Sequence, residues 1–324
     1  MKALQIDRTG SLDALTIRDV ANPSRGTNEV LVRIEAAGVN PSDVGIALGR
    51  FPHLVLPRIL GRDFAGKVID GPPELTGKAV WGTGGGELGL TRDGAHAEML
   101  AIPAHAVAIR PAGVSAESAA AMGTPFFTGW VSLVELAGLT SGEWAIVSGA
   151  AGAVGIASVQ IAKAVGAHPI ALVLSSDDVS ELEQIGVEAL VRSDRDDLAT
   201  IVRELTGGKG AHVATNAVGA PVFGPLVDAL REDGRMVIFS AAAGRTAEFD
   251  LFKFYRKRLT FYGLDTASFA LERVGPVLTK VNPLLESGKL KAPKAAARYP
   301  LDRARDAYER VNSHQPGKVV ITVR

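Results

Sequence analysis

The chain of 324 residues contains no cysteine. That absence excludes disulfides, thiolate nucleophiles, iron–sulfur clusters and every zinc site built on Cys ligands. Aromatic residues make up only 6%, and the charges cancel, with 35 Lys and Arg against 35 Asp and Glu. Zero net charge removes the long-range attraction that a basic protein has for nucleic acid or an anionic membrane surface. No uninterrupted apolar run approaches the roughly 18 residues of a membrane-spanning helix. The start MKALQIDRTG lacks the basic patch and apolar stretch of a secretory signal. These features lead us to expect a cytoplasmic protein with a small-molecule partner, no nucleic acid and no membrane. The length suits two domains, each able to bury its own core.

Up to about residue 120 the chain reads as short strands separated by turns. Runs such as EVLVRIE (29–35) and AGKVI (65–69) are rich in aliphatic and β-branched residues and are bounded by Gly, Pro and Asn, which suits a small irregular β-barrel. The run TGGGELG (83–89) reads as an exposed loop. From about Ser115 the pattern turns to Ala-rich helical spacing, and then apolar strands alternate with amphipathic helices. Strands are predicted at 144–148, 170–174, 189–191, 211–216 and 235–239, and helices at 153–165, 177–185, 196–205 and 222–231. Such alternation implies a parallel sheet covered on both faces, a doubly wound α/β domain over 121–268. The final strand GKVVITV is too far from a further domain's worth of residues to fold alone. We expect it to complete the first domain, which then comprises 1–120 and 269–324.

The strand WAIVS runs directly into Gly149-Ala150-Ala151-Gly152-Ala153-Val154-Gly155 and then a helix. Small residues permit a tight strand-to-helix turn, let a pyrophosphate approach backbone N–H groups, and place it at the positive end of the helix dipole. About twenty residues on, where an acid would hold the ribose 2′-OH of NAD, stand Ser175 and Ser176. Two hydroxyls without a carboxylate favour NADP(H). Asp177 and Asp178 oppose a 2′-phosphate unless they serve as caps of the next helix, so NAD(H) stays open. Arg192 is either a phosphate contact or a surface residue.

Several segments carry a family resemblance: AAGVNPSD (36–43), LPRILGRDFAG (56–66), DGAHAEM (93–99), TPFFTGW (124–130), SGAAGAVG (148–155), NAVG (216–219), GRMVIFSAAAG (234–244) and the terminal GKVVITV. In this order they resemble the zinc-independent medium-chain dehydrogenase/reductases, the quinone oxidoreductase (zeta-crystallin-like) group. The resemblance spans nearly the whole chain. It implies a GroES-like catalytic domain, a Rossmann dinucleotide-binding domain and a nicotinamide cleft between them. Where zinc-dependent relatives carry Cys, His and Cys, this sequence has Asn40, Arg62 and Thr124, with Asp63 beside the His position. The resemblance therefore implies no metal.

For catalysis, Asn40 is a candidate amide donor to a developing oxyanion, or a turn residue before Pro41. Arg62 is a second candidate, or the partner of Asp63 or another carboxylate. Phe51 stands where some enoyl-thioester-reducing relatives carry tyrosine. Together with His53 and Tyr262 it is expected to shape the substrate pocket, although His53 also reads as an exposed loop residue. The resemblance carries Thr128 and Leu264 to the nicotinamide and Ala150, Ala151, Gly152, Ala153 and Val154 to the pyrophosphate. It carries Asn216 and Val218 to the adenosine ribose, and Ser240 and Ala241 to the strand end beyond. Lys318 would reach the cofactor phosphates, or be a surface lysine. Asn40 is expected to contact the cofactor as well.

The function implied is NADP(H)-dependent hydride transfer to a quinone or α,β-unsaturated carbonyl without zinc. Alternatives are an enoyl-thioester reductase and a dinucleotide-binding sensor or structural protein with little catalysis. The apolar segment LTFYGL (259–264) would form the sheet edge through which such proteins commonly dimerise, so a homodimer is expected.

Overall fold

In a computed structural model, which describes residues 1–323, the longest strand runs Glu29–Val39. Its residues alternate between inside and outside as far as Ile34, and from Ala36 to Val39 every residue is buried. The change follows from pairing. One edge lies against Asp63–Asp70 along its length, with bulges at Leu31/Val32 and Ile34/Ala36. The other edge takes Met99–Pro103 on its first half and Lys318–Thr322 on its second. Ala79–Gly82, Ala108–Ile109 and Ala295–Pro300 complete this seven-stranded sheet, and a smaller sheet joins Thr16–Asp19, Lys2–Ile6 and Arg58–Ile59. Bulged antiparallel strands curl around Leu4, Ile6, Val39, Leu60, Tyr308 and Ile321.

Contacts divide the chain into Met1–Phe127 with Thr266–Arg324, and Thr128–Asp265. The first boundary lies beyond residue 120 because helix Ala116–Trp130 belongs to the first unit through Phe127. The Gly-rich run is not an exposed loop. Thr83, Gly84, Gly85, Leu88 and Gly89 are buried, and a Cβ at Gly85 would stand 2.4 Å from the Phe269 carbonyl oxygen. The glycines let one backbone lie directly on another, so this segment is packing material.

The second unit holds six parallel strands, numbered here within that unit: β1 (Trp144–Ser148), β2 (His168–Val173), β3 (Ala189–Arg192), β4 (Ala211–Asn216), β5 (Leu230–Ile238) and β6 (Thr260–Gly263). Their order is 3-2-1-4-5-6. Both faces are covered. Ile146, Ile170, Leu172 and Ala214 pack into one core and Val147, Ala171 and Val173 into another. The order reverses between β1 and β4, and in open α/β sheets ligands bind in the crevice outside the carboxyl ends at such a point. β5 begins five residues earlier than its apolar run because Leu230 pairs with Ala211 before a register shift. Among the described residues, no helix is long and apolar enough to cross a membrane.

Candidate dinucleotide and active sites

The turn after β1 is shaped by its glycines. Gly149 has φ +60, and a Cβ on Gly155 would lie 2.3 Å from the Gly149 carbonyl oxygen and 2.5 Å from Ala150 Cα. Gly155 thus seats helix Ala153–Ala164 against the turn. Gly152 differs, because a Cβ there meets only the Gly149 oxygen, at 3.3 Å, and the residue is exposed. It leaves open the space in front of the helix, whose first N–H groups, on Ala153, Val154 and Gly155, have no intrahelical acceptor. Open space, unpaired donors and the helix dipole suit a pyrophosphate. Ala150 does not fit the donor role expected of it, since it is buried and its N–H donates to the Leu172 carbonyl at 3.2 Å. Ala151 is half-buried and Ala153 exposed.

After β2, the Ser175 N–H and hydroxyl both donate to Asp194 Oδ1, at 3.0 and 2.9 Å. Arg192 Nη1 donates to the Leu174 carbonyl at 2.7 Å. The serine pair expected to face a ribose therefore has one carboxylate and one guanidinium beside it, and Ser176 is exposed. Asp177 and Asp178 act locally, accepting from the N–H groups of Leu174 and Ser180. At the end of β4, Asn216 is 1% exposed and its amide is consumed by the turn, accepting from Val218 and Gly219 N–H and donating to the Gly219 carbonyl. Its side chain shapes the turn that follows the strand. Val218 and Ser240 are half-buried and Ala241 exposed. Thr128 and Leu264 are buried, Leu264 donating its N–H to Ile238. Tyr262 is a half-buried residue of β6.

In the first unit, strand register assembles a buried polar cluster. Asp63 pairs with Gly38 on one edge of the long strand, and Val319 pairs with Val39 on the other. This brings Asp63 and Lys318 to Asn40, which follows the strand and precedes helix Pro41–Ala47. Gly38 and Gly123 make room for helix Ala116–Trp130, for a Cβ would lie 2.3 Å from the Ala120 oxygen at Gly38 and 2.6 Å from Asp63 Oδ1 at Gly123. Asp63 Oδ1 then accepts from the Thr83 hydroxyl (2.6 Å), Thr124 N–H (2.9 Å) and Thr124 hydroxyl (2.7 Å). Its Oδ2 accepts from Asn40 Nδ2 at 2.8 Å and lies 3.9 Å from Lys318 Nζ. Lys318 Nζ donates to Asn40 Oδ1 at 2.6 Å.

Two expectations are corrected here. Lys318 is neither a surface residue nor free to reach cofactor phosphates, because its ammonium is buried and held by Asn40 and Asp63. Arg62 does not pair with Asp63, whose oxygens are already filled. Its guanidinium donates to the Gly85 carbonyl (2.8 Å), the Thr266 carbonyl (3.5 Å) and Ser42 Oγ (3.3 Å), and its Nε has no partner. Of the substrate-pocket candidates in this unit, Phe51 packs on the hydrophobic core and His53 is exposed. Sequence reasoning gave no role to Asp43, Thr83 or Asp194. Only the strand pairing and turn contacts that bring them in could have signalled them.

Asp43 is fully buried. Its Oδ2 accepts from Asn40 N–H at 2.8 Å and its Oδ1 has no partner. Burial pushes this carboxyl up to about 7, opposed by Arg62 and reinforced by Asp63. Burial also lowers the Lys318 ammonium, against the pull of Asp63 and Asp43. His96 donates through Nε2 to the Gly38 carbonyl and accepts the Tyr308 hydroxyl at Nδ1, and burial pulls it down to about 4.

The cluster does not fit a zinc ion. A guanidinium cannot ligate, Asn40 Oδ1 accepts an ammonium, the Thr124 hydroxyl donates to Asp63, and two buried cations would face a third charge. Among the described residues, no group of three or more His, Asp or Glu is placed to hold a metal.

Two outcomes follow. Ionising Asp43 costs more in the fold than in the unfolded chain, so its contribution to stability falls as pH rises from about 4 to 7. His96 acts oppositely, adding stability as pH rises from about 4 to 6.5. Asp43→Asn keeps an acceptor for Asn40 N–H. Its melting temperature is expected to match the parent near pH 4 and to exceed it increasingly up to pH 7, as thermal denaturation at stepped pH would record. Gly152→Ala should fold with an unchanged melting temperature yet bind NADPH and NADH at least about tenfold more weakly by calorimetry, because its methyl enters the space left for the pyrophosphate.

Comparisons with known proteins agree with this geometry. Residues 26–112 match the alcohol dehydrogenase GroES-like domain and residues 153–279 the zinc-binding dehydrogenase model. A zinc-type alcohol dehydrogenase-like protein of Schizosaccharomyces pombe is 35% identical over 100% of this chain and 97% of that protein. A Pseudomonas syringae quinone oxidoreductase structure superposes with a TM-score of 0.84 at 27% identity, over 99% of each chain. A mycobacterial protein solved in complex with NADPH does so with a TM-score of 0.85 at 26% identity, over 99% of each chain. The GroES-like unit, the 3-2-1-4-5-6 parallel sheet and these full-length matches establish that the chain belongs to the medium-chain dehydrogenase/reductase family, within its quinone oxidoreductase group.

Proposed function

We propose that the protein reduces a quinone or an α,β-unsaturated carbonyl by hydride transfer from NADPH or NADH, without a catalytic metal. The observation that carries this reading is the buried cluster itself, which pairs two cations, Arg62 and Lys318, with two acids, one of which, Asp43, titrates near neutrality. Whenever Asp43 holds its proton, the cluster has a net positive charge. A positive site shielded from water stabilises an oxyanion developing on a quinone or enone.

A bound dihydronicotinamide would supply the hydride. Ala153, Val154 and Gly155 hold the pyrophosphate by their backbone N–H groups. Asn40 directs toward the substrate oxygen the Nδ2 hydrogen that Asp63 does not take, whose other contact is a long 3.4 Å approach to Thr124 Oγ1. Ser42, half-buried and accepting from Arg62, has a hydroxyl hydrogen to pass to that oxygen, replaced in turn from solvent. Catalysis of this kind requires no base of perturbed pKa, which suits reduction better than alcohol oxidation.

The choice of dinucleotide rests on Asp194. Its carboxylate takes both donors of Ser175 and opposes a 2′-phosphate, while Arg192 favours one. The NADPH complex of the mycobacterial relative supports the phosphate-bearing form for this chain.

The test is oxidation of NADPH and of NADH with a 1,4-quinone, a short enone and an enoyl thioester. Turnover above background with at least one is expected. Dinucleotide binding with no turnover on any acceptor would overturn the reading in favour of a sensor. In the same assay, Asp194→Ser should move the preference toward NADPH by about tenfold, the size expected for removing one exposed like charge.

A further inference from the structure

In the mechanism above the Lys318 ammonium counts only as charge, and its directed contact with Asn40 is left without a role. Lys318 is 8% exposed, sits on the strand paired with the long strand, and donates to Asn40 Oδ1 at 2.6 Å. We infer that Lys318 is a positioning residue for the reaction, fixing and polarising the Asn40 amide so that its Nδ2 hydrogens point at Asp63 and at the substrate oxygen. The inference rests on the reductase reading above and deepens it.

The chemistry allows only one orientation of the amide. An ammonium has no acceptor, so it must meet Asn40 Oδ1, and an ionised carboxylate has no donor, so Asp63 must meet Nδ2. Flipping the amide would set ammonium against NH2 and carboxylate against carbonyl oxygen, two repulsive contacts in a dry interior. An amide whose oxygen accepts a charge-assisted bond is a stronger donor at its nitrogen. Asp63 takes one Nδ2 hydrogen at 2.8 Å, and the other makes only the 3.4 Å approach to Thr124. That second hydrogen is the one held ready for an incoming oxygen. Asp63 has four hydrogen-bond donors of its own, so it does not need the ammonium for satisfaction.

The arrangement carries a pH signature. The charged groups facing Lys318 are Asp63 from strand Asp63–Asp70 and Asp43 from helix Pro41–Ala47, with Arg62 facing Asp43. Burial outweighs both acids and lowers the ammonium from the ordinary lysine value. Its loss of charge therefore falls at lower pH than for a surface lysine; the neutral amine can still donate to Asn40 Oδ1, but without charge assistance, and because it can also accept it no longer fixes the amide's orientation. A guanidinium at the same place does not titrate in this range.

The experiment compares the full-length parent with Lys318→Met and Lys318→Arg, using whichever quinone or enone the parent reduces. Lys318→Met is expected to lower kcat about 10- to 100-fold while the dinucleotide Kd stays within about twofold, and Lys318→Arg to restore kcat to within about threefold of the parent. The parent is expected to show an alkaline fall in kcat, at lower pH than an ordinary lysine would give, and this fall should move upward or vanish in Lys318→Arg. A kcat for Lys318→Met within about twofold of the parent overturns the inference. If Lys318→Met does not fold, an alkaline limb in Lys318→Arg at the same pH as in the parent overturns it. Failure of the parent to reduce any acceptor sinks the reductase reading instead, so the two failures are distinct.

Discussion

The first unit depends on one buried carboxylate. Asp63 is fully buried and is satisfied by two threonine hydroxyls, one backbone N–H and one amide, with an ammonium nearby. A carboxylate taken out of water without such partners would cost several kcal/mol or surrender its charge. Each partner comes from a different place in the chain: the start of a short helix, the Gly-rich segment, the long helix and the last strand of the sheet. Asp63 is thus the common acceptor that makes these segments agree in position. Arg62, next in sequence, finds the carboxylate already filled and turns to backbone carbonyls instead.

Much of the fold was legible because it is local. Strands Trp144–Ser148 and Ala211–Asn216 have in the structure the bounds that their apolar runs predict, and Gly149 to Gly155 declare a turn by the residues they lack. What escaped sequence reasoning depends on pairing register. Nothing within GKVV says that Lys318 will lie beside Asn40, since the contact spans 278 positions and exists only because Val319 pairs with Val39. The run 83–89 looked like loop because glycine serves both open turns and close backbone contact, and only the Phe269 carbonyl decides between them. Asn216 also clamps the turn it stands in, a contact the sequence did not suggest, with three bonds that all fall within three residues of it.

The polar features of the two units differ in kind. The second presents backbone, in the form of N–H groups, a helix end and the space above Gly152. The first presents side chains whose charges are fixed by burial and by one another. A protein with equal numbers of acidic and basic residues thereby keeps local fields strong while its overall field is weak, so ligand capture depends on contact geometry more than on long-range steering.

The pairing of strand Lys318–Thr322 with the long strand also bears on the order in which the protein is made. The residues of the second unit, Thr128–Asp265, leave the ribosome before this strand exists, and they form a complete parallel sheet from contiguous chain. The first unit must wait, its long strand missing half of one neighbour and its buried Asn40 missing the ammonium that bonds its amide oxygen. Synthesis thus gives a contiguous α/β unit that can fold early, and a β unit whose buried polar cluster lacks one of its charges until the strand Lys318–Thr322 has followed.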